Sequence, residues 1–128
     1  MNKYFQYYQP NKKVSDAGDC VIRALTKALD KEWLEVFDDI IPVSRELQIP
    51  FNVKDCYEVY LKNKGFIYQG VSNKKGTKRP TVQEFAKSHN DGKKYILRVA
   101  NHIVASENGK YFDTWDCGEK SMYGYWYK

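Results

Sequence analysis

Among the side chains of this chain able to act as nucleophile or proton carrier, Cys20 has the most suggestive setting. It follows Gly18-Asp19 and opens a run in which Val21, Ile22, Leu25, Ala28 and Leu29 recur at helical spacing. A cysteine in the first turn of a helix faces unpaired N–H groups and the positive end of the helix dipole, and both favour thiolate over thiol. An imidazole alongside would strengthen that bias and carry the proton, giving attack on an acyl carbon through a thioester. His102, in a β-rich run, is the candidate base. His89, the other histidine, lies in the polar stretch Ser88-His89-Asn90-Asp91. The bland alternative for Cys20 is a small buried residue packed under a sheet. Cys56 falls early in a helix of its own with no histidine partner, which makes it a weaker nucleophile, and Cys117 follows Asp116 in a turn and reads as structural.

The elements that position these residues follow from periodicity. A helix is expected from Asp16 through Leu29, capped by Ser15, Asp16 or Asp19, and a second from an Asp30 cap through Trp33, Val36, Phe37 and Ile40 to Pro42. A third is capped by Asn52, carries Cys56, Tyr57, Tyr60 and Leu61, and stops at Gly65. A short strand, Phe66 to Gln69, precedes a loop. Thr81-Val82-Gln83-Glu84 is a capping box that opens a short helix. Tyr95 to Ser106 reads as β, Asn108-Gly109 as a hairpin turn, Lys110 to Trp115 as the partner strand, and Met122 to Tyr127 as a third aromatic strand. The first dozen residues read as an extended arm ending near Pro10. The expected fold is α+β, with N-terminal helices on a small C-terminal antiparallel sheet, in a single domain spanning 1–128.

A two-residue turn pairs Glu107 with Lys110, Val104 with Asp113 and His102 with Trp115. His102, Val104, Tyr111, Asp113 and Trp115 then share one face, expected to be the face that meets Cys20. Asp113 is diagonal to His102 and within reach to orient its ring, whereas Asp116 falls on the opposite face unless a bulge shifts the register. Arg23, one turn after Cys20, suits a salt bridge to Asp113 or Asp116, or a substrate carboxylate.

Composition bounds the setting. Hydrophobic residues make up 42% of the chain and charged ones 29%, which is ordinary for a globular domain, whereas 11 tyrosines in 128 residues is a surplus of amphipathic rings. The cysteine spacing fits neither a disulfide framework nor a zinc site, no apolar leader or membrane-length run is present, and a reduced cytoplasmic setting is expected. No nucleotide fingerprint or metal pattern is seen, so no cofactor and no metal are expected. The net charge is +5, and the basic stretch Lys74, Lys75, Lys78 and Arg79 reads as a solubilising loop, with nucleic-acid contact as the alternative.

The segment Gly18-Asp19-Cys20-Val21-Ile22-Arg23-Ala24-Leu25 resembles the "DCxxRA" helix opening of small uncharacterised phage and bacterial proteins. Their later block is matched by His102-Ile103-Val104-Ala105, Gly109, Asp113-Thr114-Trp115-Asp116 and Tyr123-Gly124-Tyr125-Trp126. The order of elements is similar to that of bacteriocin-processing peptidases and other papain-like cysteine peptidases. The resemblance implies Cys20 as nucleophile, His102 as general base and Asp113 as orienting group, acting on a protein or peptide substrate in a host-cell cytoplasm. The alternatives are a silent papain-like module that binds a host protein and a nucleic-acid binder using exposed tyrosines. Papain-like peptidases carry a Gln six residues before the nucleophile to hold the oxyanion, where this chain has Val14. Gln9, Asn11 and Ser15 are the nearby donors, with Asp19, Arg23 and Asp116 as further support for the site.

Overall fold

Cys20–Leu29 (α1), Trp33–Leu47 (α2), Lys54–Asn63 (α3) and Val82–Ser88 (α4) are the helices, among strands Phe5–Tyr7 (β1), Ile67–Gly70 (β2), Tyr95–Val99 (β3), His102–Glu107 (β4), Lys110–Asp113 (β5) and Gly124–Tyr127 (β6). The computed structural model describes residues 2–71 and 78–128. Of the basic stretch read as a loop, only Lys78 and Arg79 fall within the described residues.

The strands form one sheet in the order β1-β5-β4-β3-β6-β2. The fold is α+β, but two expectations about the sheet need correcting. It is mixed rather than antiparallel, because β1 runs parallel to β5, with Tyr7 beside Asp113. Nor is it confined to the C-terminal half, since the N-terminal arm supplies one edge strand, β1. Among the described residues no helix is long and apolar enough to cross a membrane.

Both faces of the sheet are covered. Ile96, Ile103, Ala105 and Trp126 pack against α1, α2 and α3. Their strand neighbours Tyr95, Leu97, Val99, Val104 and Tyr111 pack on the other side with Val82, Phe85 and Ala86 of α4. A strand buried on both sides reads as an unbroken apolar run. That is why Tyr95 to Ser106 looks like one strand in the sequence, whereas the structure folds it into a hairpin that pairs Val99 with His102. Asn101 turns this corner in the left-handed region, at φ 53°.

Helix boundaries shift for local reasons. α1 starts at Cys20 rather than Asp16, because Gly18 is in the left-handed region at φ 66°. Asp30 ends α1 instead of capping α2, and a Glu32–Glu35 capping box starts α2. Pro42 does not end α2; it lies inside the helix, and both Pro42 and Asp38 are exposed, so water can replace the lost hydrogen bond. The N-cap of α3 is Val53 rather than Asn52. The Thr81–Glu84 capping box forms as the sequence predicts.

The Asn108-Gly109 turn pairs Glu107 with Lys110, Ser106 with Tyr111 and Ala105 with Phe112. The register is the expected one, but the ladder ends there, short of His102 and Trp115. The face assignment is corrected too: Val104 and Tyr111 lie on the α4 side, away from α1. His102 and Asp113, at the ends of their strands, nevertheless reach residues of α1.

Candidate active site

Cys20 is the first residue of α1, and Asp19 before it makes no capping hydrogen bond to the helix. The Asp19 carboxylate instead accepts from Arg23 Nη1 at 3.0 Å, Trp33 Nε1 at 2.7 Å and Asn11 Nδ2 at 3.2 Å. The N–H groups of the first turn, Cys20 among them, therefore keep their donors for the sulfur and for whatever lies in front of it.

His102 and Asp113 form a close pair, with ring Nε2 donating to Asp113 Oδ2 at 2.5 Å. Asp113 is 1% exposed and fully bonded. Its Oδ2 also accepts from the Cys117 thiol at 3.4 Å, and its Oδ1 accepts from Arg23 Nη2 at 3.0 Å and Thr114 N at 2.7 Å. A buried carboxylate surrounded by four donors stays ionised. Burial opposes its charge, but the bond and charge of His102, the Thr114 N–H and Arg23 hold its pKa below the usual value. The Trp115 ring packs 5.1 Å from the His102 ring and partly shields the pair from water.

With Nε2 committed to Asp113, Nδ1 is the ring nitrogen left for Cys20. The two residues line one cleft and influence each other. Burial works against a charged His102, yet its bond to Asp113 and the neighbouring Cys117 and Cys20 thiols outweigh this and raise its pKa to about 11. Burial also works against a Cys20 thiolate, but the bond and charge of His102, the Ile103 N–H and Arg23 together bring the thiol below its ordinary value. Both shifts favour a thiolate–imidazolium pair at neutral pH. The other thiols go the opposite way: burial pushes Cys56 and Cys117 up.

The cleft has a volume of about 520 Å³, and Asn52, Tyr57, Arg98 and Tyr123 line it together with Cys20 and His102. No protein-family model, curated protein or solved structure matches the chain. The chemistry of the site thus rests on its own geometry.

The structure brings Cys20, His102, Asp113, Arg23 and Asp19 together, with Arg23 bridging the two carboxylates. Two sequence candidates lie elsewhere. Gln9 donates to the Ser15 carbonyl and accepts from Asn11 N, so it shapes the loop before α1 and does not line the cleft. Asp116 accepts from the Tyr111 hydroxyl, Gly118 N and Asn2, which ties the chain near its start to the β5–β6 connection. His89 stacks on Phe85 with centroids 3.7 Å apart, outside the cleft. A His102 ring nitrogen, an Asp113 oxygen and Cys117 Sγ lie within 4.8 Å of one another and could gather a cation. Their protons are already shared with Asp113, whose charge Arg23 neutralises.

Sequence reasoning missed Asn52, Tyr57 and Arg98. Asn52 looked like a cap and Tyr57 like part of an apolar stripe. Arg98 carried a usable signal, as the one charge in Tyr-Ile-Leu-Arg-Val.

Proposed function

We propose that the chain is a papain-like thiol hydrolase that cleaves an amide bond through a thioester. The observation that carries this reading is the buried Asp113–His102 pair sharing one cleft with a cysteine at the start of a helix. The Cys20 thiolate attacks the carbonyl carbon, and the carbonyl π electrons move onto oxygen. As the tetrahedral intermediate collapses, the C–N bond breaks and His102 gives its proton to the departing amine. Water then attacks the thioester while His102 takes its proton. The C–S bond breaks, and acid and thiolate are released.

The oxyanion needs donors fixed where charge develops. The Cys20 N–H is one. Asn52 and Tyr57 are the candidates for the second, since both line the cleft and neither side chain is hydrogen-bonded to another described residue. Asp113 acts through His102 and is a positioning residue, while Arg23 and Asp19 hold it in place.

The test is to incubate the wild type and Cys20→Ala with candidate proteins and peptide esters and follow intact mass. The reading requires an acyl adduct on Cys20 that hydroxylamine removes and that Cys20→Ala cannot form. Turnover that persists in Cys20→Ala contradicts it.

A further inference from the structure

Arg98 stands in the same cleft as Cys20 and His102, on a strand that is otherwise apolar. A half-buried guanidinium in such a strand ordinarily has a carboxylate within reach. Arg98 makes no salt bridge to any described residue; its polar contact is with the Tyr68 hydroxyl, at 3.5 Å. The residues not described, Met1 and 72–77, include no Asp or Glu.

A second cation reinforces it. The guanidiniums of Arg79 and Arg98 lie 5.0 and 5.3 Å from the centre of the same Tyr123 ring, and Tyr123 lines the cleft. Arg79 Nε is buried without a hydrogen-bond partner. Lys54 adds a charge on the cleft wall, offset by Glu58 at 3.1 Å. Two like charges on one ring, neither balanced by a carboxylate, leave a positive potential facing the cleft.

We propose that this end of the cleft receives a carboxylate of the substrate, with Arg98 as the receiving cation and Arg79 in support. The inference rests on the hydrolase reading, because it is Cys20 that defines the reacting bond. The carboxylate can come from an acidic side chain or from a chain terminus.

Three iodoacetyl dipeptides separate these sources: iodoacetyl-Gly-Glu-amide, its neutral Gln-amide counterpart, and iodoacetyl-Gly-Gln with a free terminal carboxylate. Alkylation rates at Cys20 are measured by peptide mapping on the wild type, Arg98→Gln and Arg98→Lys, each first checked by thermal melting. One unpaired cation near a partly exposed site should favour a carboxylate probe by about tenfold over the neutral one. That preference should fall close to unity in Arg98→Gln and largely return in Arg98→Lys, while the attraction of a charged His102 stays common to all three proteins. Preference for the Glu-amide probe assigns a side chain, and preference for the free acid assigns a terminus. Equal rates for all probes, or a preference that survives Arg98→Gln, overturn the proposal and leave the hydrolase reading standing. If the neutral probe labels Cys56 or Cys117 ahead of Cys20, the hydrolase reading fails instead. Unreactive acetyl-Gly-Glu-amide, acetyl-Gly-Gln-amide and acetyl-Gly-Gln with a free terminal carboxylate are then titrated while the Arg98 side-chain N–H resonance is followed. A shift with either carboxylate ligand and none with the neutral amide supports carboxylate binding, and no shift with either carboxylate overturns it.

Discussion

Asp113 shows most clearly how single residues determine the site. A buried carboxylate is costly unless every lone pair is used, and here Arg23, His102, Thr114 and Cys117 use them. Asp113→Asn keeps the shape and removes the charge. It should lower the His102 pKa towards its ordinary value and cut kcat/KM by roughly 10²- to 10⁴-fold. It should also cost about 3 kcal/mol, because Arg23 loses one of two carboxylates. Urea unfolding and the alkaline limb of a pH–rate profile read the two effects separately, and a purely structural role would leave the limb in place.

The same pair sets a pH dependence of stability, with the sign fixed by the direction of each shift. Asp113 is depressed in the folded state, so its contribution is present above its unfolded pKa and is lost as pH falls through the folded value. His102 is raised, so its contribution is complete below about 6.5 and is lost as pH climbs through about 11. Stability should therefore fall at both extremes, and Asp113→Asn should flatten the acid limb. Thermal melts across pH check this, and an acid limb unchanged by the substitution would be the contrary result.

Secondary-structure elements bring distant residues into reach. The β4–β5 turn was legible because Asn108-Gly109 are the residues a two-residue hairpin requires, and both have positive φ, 53° and 80°. Its register gave the proximity of His102 and Asp113. The β3–β4 turn was not legible, since Ala100-Asn101 contains no glycine and interrupts a run that is apolar on both faces. Gly109→Ala tests the legible turn. Its Cβ would sit 3.3 Å from Asn90 at a left-handed φ, so a loss of about 1–2 kcal/mol is expected in urea unfolding. A loss of Cys20 reactivity should accompany it if this turn holds His102 against Asp113. Full stability with unchanged reactivity would mean that the register is held elsewhere.

At the scale of the whole molecule, the sheet separates two apolar layers and the cleft opens where α1, the start of α3 and the β3–β4 hairpin converge. The helices were legible because each buries one stripe, as Ile22, Leu25, Val36 and Ile40 do. The mixed sheet was not, because the arm that forms β1 offers just Phe5, Gln6 and Tyr7 to the ladder. Among the cleft residues, Asn52 and Tyr57 were not legible either, since one reads as a helix cap and the other as part of an apolar stripe, whereas Arg98 stood out as the one charge in its strand. Trp126 couples these parts: it is 1% exposed and packs on Tyr57 and Tyr68 at 5.6 and 4.8 Å. Trp126→Ala should cost about 3–5 kcal/mol, and by loosening Tyr57 it should also slow any Cys20 chemistry. Denaturant unfolding with parallel labelling measures both, and a loss under 1 kcal/mol would show that the layer collapses around the gap.

The central claim is that His102 activates Cys20. The most direct measurement is the pH dependence of Cys20 alkylation by iodoacetamide, resolved by peptide mapping, in the wild type and in His102→Ala. Wild-type Cys20 should react ahead of Cys56 and Cys117, with a midpoint below that of an ordinary thiol, and the midpoint should rise in His102→Ala. A midpoint that is ordinary in the wild type, or identical in the two proteins, would contradict it.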